Sequence, residues 1–195
     1  RHLSNVFQGL LMAEPDQFSS PAKLVSLWLH ESERVYGDRL VSRTDLTKYQ
    51  QLAFAQAKKR LSDFTNVFAN FFAASNPMPL IFCHFSESIE EKCYNQVEKL
   101  DTLQIILTDA LKDYNETNAT MDLVLFEDAM RHVCRIARII NNPSGHALLV
   151  GVGGSGKQSL ARLASFICGY RVSSIVISGT YSMNDFRDDL KGMYR

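Results

Sequence analysis

The sequence predicts an α/β fold in which a helical segment leads into the N-terminal part of a P-loop α/β module, truncated after its opening elements. Three observations predict it. Apolar residues recur at helical spacing through the first third and again between about residues 100 and 140. A short apolar run from His146 to Val150 ends in a glycine-rich turn, and Lys157 follows that turn directly. A second apolar run, Val172 to Ser178, comes after the helix that the turn opens.

Residues 2–13 place Leu3, Val6, Phe7, Leu10 and Leu11 on one helical face. Glu14 to Ser20, with Pro15 and two serines, reads as a loop. Pro21 fits the first turn of a second helix, with Trp28 as its packing anchor and Gly37 as its stop. His30, beside Glu31 and Glu33, reads as a surface or capping histidine, since no second histidine lies at helical spacing. Asp45 is placed to cap a third helix running from Leu46 towards Phe72. Its Lys58-Lys59-Arg60 cluster reads as a solvated face, and the aromatic stretch from Phe64 to Phe72 as buried or packed on a partner.

Ser75-Asn76-Pro77-Met78-Pro79 breaks helix and marks a boundary. Leu80 to Phe85 suggests a short strand, followed by an acidic, irregular stretch through Glu98. Leu103 to Tyr114 reads as a helix and Asn115 to Thr120 as a polar loop. Leu123, Phe126, Met130, Val133, Ala137 and Ile140 form the stripe of a further helix, which Asn141 to Gly145 ends. Helix 160–167 follows the phosphate loop, Gly169 caps it, and Tyr181 to Arg195 forms a last, polar helix.

The loop carries the chemistry. Glycines 151, 153, 154 and 156 permit positive φ and turn backbone N–H groups inward around an anion. The helix start adds its dipole, and Lys157 supplies a mobile charge for the outer phosphates. Gln158 stands where the motif has a serine or threonine hydroxyl for magnesium, with Ser159 one place later. One step along a helix turns a side chain by about 100°. Phosphate binding is therefore expected, and fast metal-assisted hydrolysis is not. Such hydrolysis also needs a carboxylate at the end of a later strand. The run ending Val176-Ile177-Ser178 carries none, so the chain reads as a piece of something larger.

The 195 residues allow one domain or two small ones, and 46% apolar content supports a packed core. Lysine plus arginine equals aspartate plus glutamate at 21 each, which argues against nucleic acid or an anionic membrane as partner. No apolar run approaches a membrane span, and the first residues do not resemble a signal peptide. Cys83, Cys93, Cys134 and Cys168 lack paired metal spacing even with His84 beside Cys83; reduced thiols in a cytosolic-type compartment are expected. Asn115-Glu116-Thr117 and Asn118-Ala119-Thr120 match the glycosylation pattern by chance.

Three stretches together resemble dynein heavy chains: Leu123 to Met130, Arg138 to Pro143, and Gly151 to Ser159 with its glutamine after the lysine. Arg1 to Gly9 and Leu27 to Leu40 resemble the lid of the preceding module. The wording is closer to axonemal than to cytoplasmic dyneins. The resemblance implies residues 1–75 as the helical lid of the third AAA+ module, 76–120 as a connecting segment, and 121–195 as the start of the fourth. It implies ATP or ADP, with Mg2+, at Gly151, Val152, Gly153, Gly154, Ser155, Gly156, Lys157, Gln158 and Ser159, the last two nearest the metal. Val124, Leu125 and Phe126 match the adenine-lining segment of AAA+ proteins, although the same residues also fit plain helix core. Arg1 sits where such lids carry a nucleotide-sensing arginine. The parent chain would be a microtubule motor ATPase of the cytoskeleton in cilia or flagella. Its partners would be the neighbouring modules of its own ring, microtubules, and intermediate and light chains. A small P-loop kinase or GTPase, and a helical scaffold with an unoccupied loop, remain as alternatives from the residues alone.

Overall fold

The computed structural model describes residues 2–72 and 78–194. Arg1, residues 75–77 of the expected break, and Arg195 at the end of the last expected helix lie outside them. Among the described residues the fold is helical with one small sheet, followed by a phosphate-loop turn and helix, as the α/β reading expects.

Helix α1 (His2–Leu10) lies on α2 (Pro21–Tyr36). It buries Val6 and Gly9 and leaves Leu3, Phe7 and Leu11 exposed, so the expected apolar face is rotated. Gly9 dictates the rotation: a Cβ there would overlap the Glu31 carboxylate, and only glycine lets the helices approach that closely. The expected loop after α1 contains a 3₁₀ turn, Pro15–Phe18, that buries Phe18. Trp28 is 40% exposed and meets Phe68 only edge-on, so it is no buried anchor; Leu27 and Leu29 take that part. Gly37 keeps right-handed helical dihedrals and passes the chain into a 3₁₀ turn, Gly37–Arg39.

The expected third helix is two. Helix α3 (Arg43–Arg60) starts at Ser42, whose hydroxyl accepts from the Thr44 N–H, so Ser42 is the cap and Asp45 sits in the first turn. A 3₁₀ turn, Ser62–Phe64, breaks the path before α4 (Thr65–Phe72). The break re-aims Phe68 and Phe71 into a core with Phe18, Leu27, Leu29, Leu80, Phe82 and Tyr94.

Strand β1 (Phe82–Cys83) pairs antiparallel with β2 (Asn95–Gln96), Phe82 opposite Gln96 and Cys83 opposite Asn95. The stretch expected to be irregular therefore contributes a strand. Side chains alternate across this ribbon. Leu80, Phe82 and Tyr94 enter the first core, while Ile81, Cys83, Phe85 and Val97 enter a second. That second core is built by α5 (Leu100–Thr117), α6 (Glu127–Asn141) and α7 (Lys157–Ile167), with Leu103, Leu107, Val133 and Leu163 fully enclosed. Helix α8 (Met183–Met193) opens with a capping box between Ser182 and Asp185 and buries nothing. The expected strands at 146–150 and 172–178 do not form, since these residues pair with no strand among the described residues. Leu148, Val150, Val176 and Ile177 are largely exposed, because a strand without hydrogen-bonded neighbours has no sheet face to bury.

The two cores are also joined by charge. Glu31 on α2 is completely buried, and so is His30, against the expectation of a surface histidine. Tyr94 Oη donates to Glu31 Oε1 at 2.6 Å, Arg138 Nε on α6 donates to Glu31 Oε2 at 3.0 Å, and Arg138 Nη2 donates to the same oxygen. Burial pushes the Tyr94 phenol pKa up, and the Glu31 charge pushes it further. Burial works against the Arg138 charge, but its bonds to Glu31 outweigh that and raise its pKa. Outside this pair, Asp38 lies 3.1 Å from Arg34 Nε and 3.2 Å from Arg135 Nη2. His30 Nδ1 lies 3.1 Å from the Leu80 carbonyl, which can only accept, so Nδ1 carries the proton. Burial, and then the charge of Arg34, holds the His30 pKa well below its ordinary value.

Arg138→Ala strands a buried carboxylate and should destabilise the α2–α6 contact by about 3–5 kcal/mol. Amide exchange in both helices should quicken accordingly, and much less in a Glu31→Leu/Arg138→Met double variant; equal exchange in the two variants would show that the ion pair holds nothing. His30 stays neutral when folded but takes a proton near 6.5 when unfolded, so stability should fall as pH drops through that value. His84, also held low by burial, adds the same sign. A urea midpoint of the 195-residue chain, followed through Trp28, its single tryptophan, should decline below that pH without substitution and less in His30→Gln.

Candidate functional site

Helix α7 is held by its apolar face: Leu160, Leu163, Ala164 and Ile167 are buried, packed against α6. That packing fixes where its N-terminus points. Gly156 is the residue before the helix, with φ +74° and no side chain to cap the first turn. The N–H groups of Lys157, Gln158 and Ser159 therefore lack intrahelical partners and face the loop. Gly154 also takes positive φ, at +75°, whereas Gly151 and Gly153 do not. A Cβ at Gly153 or Gly154 would meet nothing within 4 Å, so the loop mouth is open to a ligand.

Lys157 folds back across the loop. Its Nζ donates to the carbonyls of Gly151 at 2.9 Å and Val152 at 2.6 Å, and to Ser155 Oγ at 3.0 Å. The ammonium thus sits at the centre of the turn, next to the free N–H groups, where an anion gains most. Gln158 is exposed and Ser159 is half-buried, on adjacent positions of the first turn.

Val124, Leu125 and Phe126 precede α6 outside any helix, Phe126 with extended dihedrals, so plain helix core does not describe them. Leu125 is buried, while Val124 and Phe126 are 74% and 60% exposed. Leu123 reaches the loop: a Cβ on Gly156 would lie 3.8 Å from Leu123 Cδ1. The fold therefore brings residues 123–126 and 151–159 to one place.

Two residues beside the site escaped the sequence reading. Asn115 is not in a polar loop but in the last turns of α5, and its side chain pairs with the backbone of Met121. Gln104 Nε2 donates to the Leu125 carbonyl at 3.4 Å. A polar residue on the outer face of a helix carries no sequence signal for such a role. The four cysteines are free thiols, Cys83 and Cys134 buried within the second core.

The chain is similar to known proteins along its whole length. A family profile described as "P-loop containing dynein motor region D4" matches residues 121–195, and one described as "AAA+ lid domain" matches residues 1–71. The "Dynein alpha chain, flagellar outer arm" of Chlamydomonas reinhardtii is 61% identical over 195 residues, covering all of this chain. "Dynein axonemal heavy chain 11" of Sus scrofa is 47% identical over 194 residues and "Dynein axonemal heavy chain 17" of Homo sapiens 47% over 196, again along the whole chain. The chain spans 4% of the length of each of these relatives.

Gly156→Ala tests the loop geometry. Since the added methyl meets only ordinary contact with Leu123, its cost is the left-handed backbone, about 1–2 kcal/mol. Calorimetry should show a Tm lower by a few degrees; an unchanged Tm would mean the turn does not need its positive φ.

Proposed function

The chain belongs to the dynein heavy-chain family, and from that premise we propose that Gly151 to Ser159 form an ATP/ADP phosphate site within a motor ring. The observation that carries the reading is the loop itself: two positive-φ glycines, three unpaired N–H groups and the Lys157 ammonium converge on one open turn. Lys157 would exchange its bonds to the loop carbonyls for phosphate oxygens. The N–H groups of residues 157–159 would donate to the same group, and Val124, Leu125 and Phe126 would border the base.

Mg2+ would screen charge between the phosphates, and the residues available to meet it are Gln158 and Ser159. A glutamine amide is longer than a hydroxyl and a weaker ligand in a tight octahedral shell. This supports a site that mainly binds and senses nucleotide, with turnover supplied elsewhere in the parent chain. In this reading residues 1–75 are the lid of the preceding, third module, 76–120 connect, and 121–195 begin the fourth. The names of the relatives support a parent chain that works as a microtubule motor ATPase in the axoneme of a cilium or flagellum. Its partners would then be the neighbouring modules of its ring, microtubules, and intermediate and light chains.

Lys157→Ala in the full-length heavy chain should abolish nucleotide binding at this loop, measured by titration after the other phosphate-loop lysines are replaced. With the other loops intact, the variant should move slowly or with poor regulation and still move. Unchanged affinity would refute the site.

A further inference from the structure

We propose that Asn115, together with Gln104, is a positioning residue that sets the register of segment 121–126 against the phosphate loop, so that α5 determines how the nucleotide base is seated. The proposal rests on reading 124–126 and 151–159 as one nucleotide site.

Segment 121–126 is outside every helix and sheet among the described residues and ends in extended dihedrals at Phe126. The backbone of Met121 and the carbonyl of Leu125 find partners on α5 instead. Asn115 Nδ2 donates to the Met121 carbonyl at 3.1 Å, and the Met121 N–H donates to Asn115 Oδ1 at 2.8 Å. Both bonds go to one residue, as a neighbouring strand would make them, and they fix the plane of the peptide as well as its distance. The pairing also fixes the amide's orientation, since a flipped amide would set oxygen against oxygen. Further along, Gln104 holds the Leu125 carbonyl at 3.4 Å.

The two anchors match in length. Gln104 and Asn115 are about three turns apart on one helix, roughly 16 Å. Met121 and Leu125 are separated by roughly 13 Å of extended chain. Helix and segment thus run antiparallel, each anchor within reach of one side chain. Between the anchors, alternation sends Leu123 and Leu125 inward and Val124 and Phe126 outward. Leu123 rests beside Gly156, the last residue of the loop. A shift of the segment by one residue would exchange the buried and exposed sets and move Leu123 off the loop. Asn115 blocks that shift.

The same geometry accounts for an asparagine that matches a glycosylation pattern. Its amide is half-buried and engaged through both nitrogen and oxygen, so a glycan there would compete with the pairing to Met121.

The test uses the full-length heavy chain with its other phosphate-loop lysines replaced by alanine, titrated with ATP and with inorganic tripolyphosphate, which has no base. Asn115→Ala should weaken ATP about three- to tenfold, as expected for two lost hydrogen bonds felt through the segment, and leave tripolyphosphate within about twofold. Thr117→Ala removes the glycosylation pattern, keeps the amide, and should change neither. Equal weakening of both ligands would show general loosening, and unchanged ATP affinity would show that the register does not matter; either overturns the proposal. Should Asn115→Ala fail to fold, Gln104→Leu carries the same comparison with the same outcomes. Binding of neither ligand by the chain with Lys157 intact ends the nucleotide reading and this proposal with it, whereas a base-insensitive Asn115→Ala ends only the positioning role.

Discussion

A carboxylate with no access to water is the constraint from which this architecture follows. Glu31 is enclosed between α1 and α2, where Gly9 makes room for it. An ionised group in that position must be matched in charge and hydrogen bonds. The match comes from 107 residues away, through Arg138 on α6, and from Tyr94 beside β2. Three parts of the chain therefore meet at one side chain. Exchanging the whole ion pair for apolar residues of similar volume would cost little; removing one partner costs much more. What the network supplies is a single docking geometry for α2 on α6.

The small ribbon serves the same end by different means. Leu80 and Phe82 face one core while Ile81, Cys83 and Phe85 face the other. A ribbon of this kind is a shared wall, and neither core can close without it. The stretch between the lid and the phosphate loop is consequently packed, and α5 belongs to the same core as α6 and α7.

Periodicity made the helices legible, and glycine spacing made the loop legible, because both depend on neighbours in sequence. The misreadings have a common cause. His30 and Glu31 look like surface residues on a polar stretch, and only a partner as distant as Arg138 explains their burial. The face of α1 was misplaced because Gly9, which has no hydrophobic signal, chose it through close approach. Asp45 reads as the cap from the sequence, whereas the chain leaving the turn from Gly37 to Arg39 starts the helix three residues earlier, at Ser42. The β runs at 146–150 and 172–178 were read from composition, but strands are defined by partners, which these residues do not find among those described. Asn115 was dismissed as a chance motif, and its pairing with Met121 is visible only once α5 is seen to continue to Thr117.

Helix α6 brings these features into one mechanical element. It is 15 residues long, about 22 Å, and its two ends have different obligations. Residues 123–126 lead into its N-terminus, with Leu123 beside Gly156 of the phosphate loop, while Arg135 and Arg138 near its C-terminus engage Asp38 and Glu31 of the lid segment. Its middle is buried on α7, whose own N-terminus forms the loop. A tilt of the lid that keeps the Glu31–Arg138 bonds must carry α6 with it. The charge network is the stiff end of that lever, since breaking it exposes two buried ions. The Asn115 and Gln104 bonds are the softer end, neutral and individually worth about 1 kcal/mol. Of the two ends of α6, segment 121–126 beside the loop is thus held by the weaker bonds.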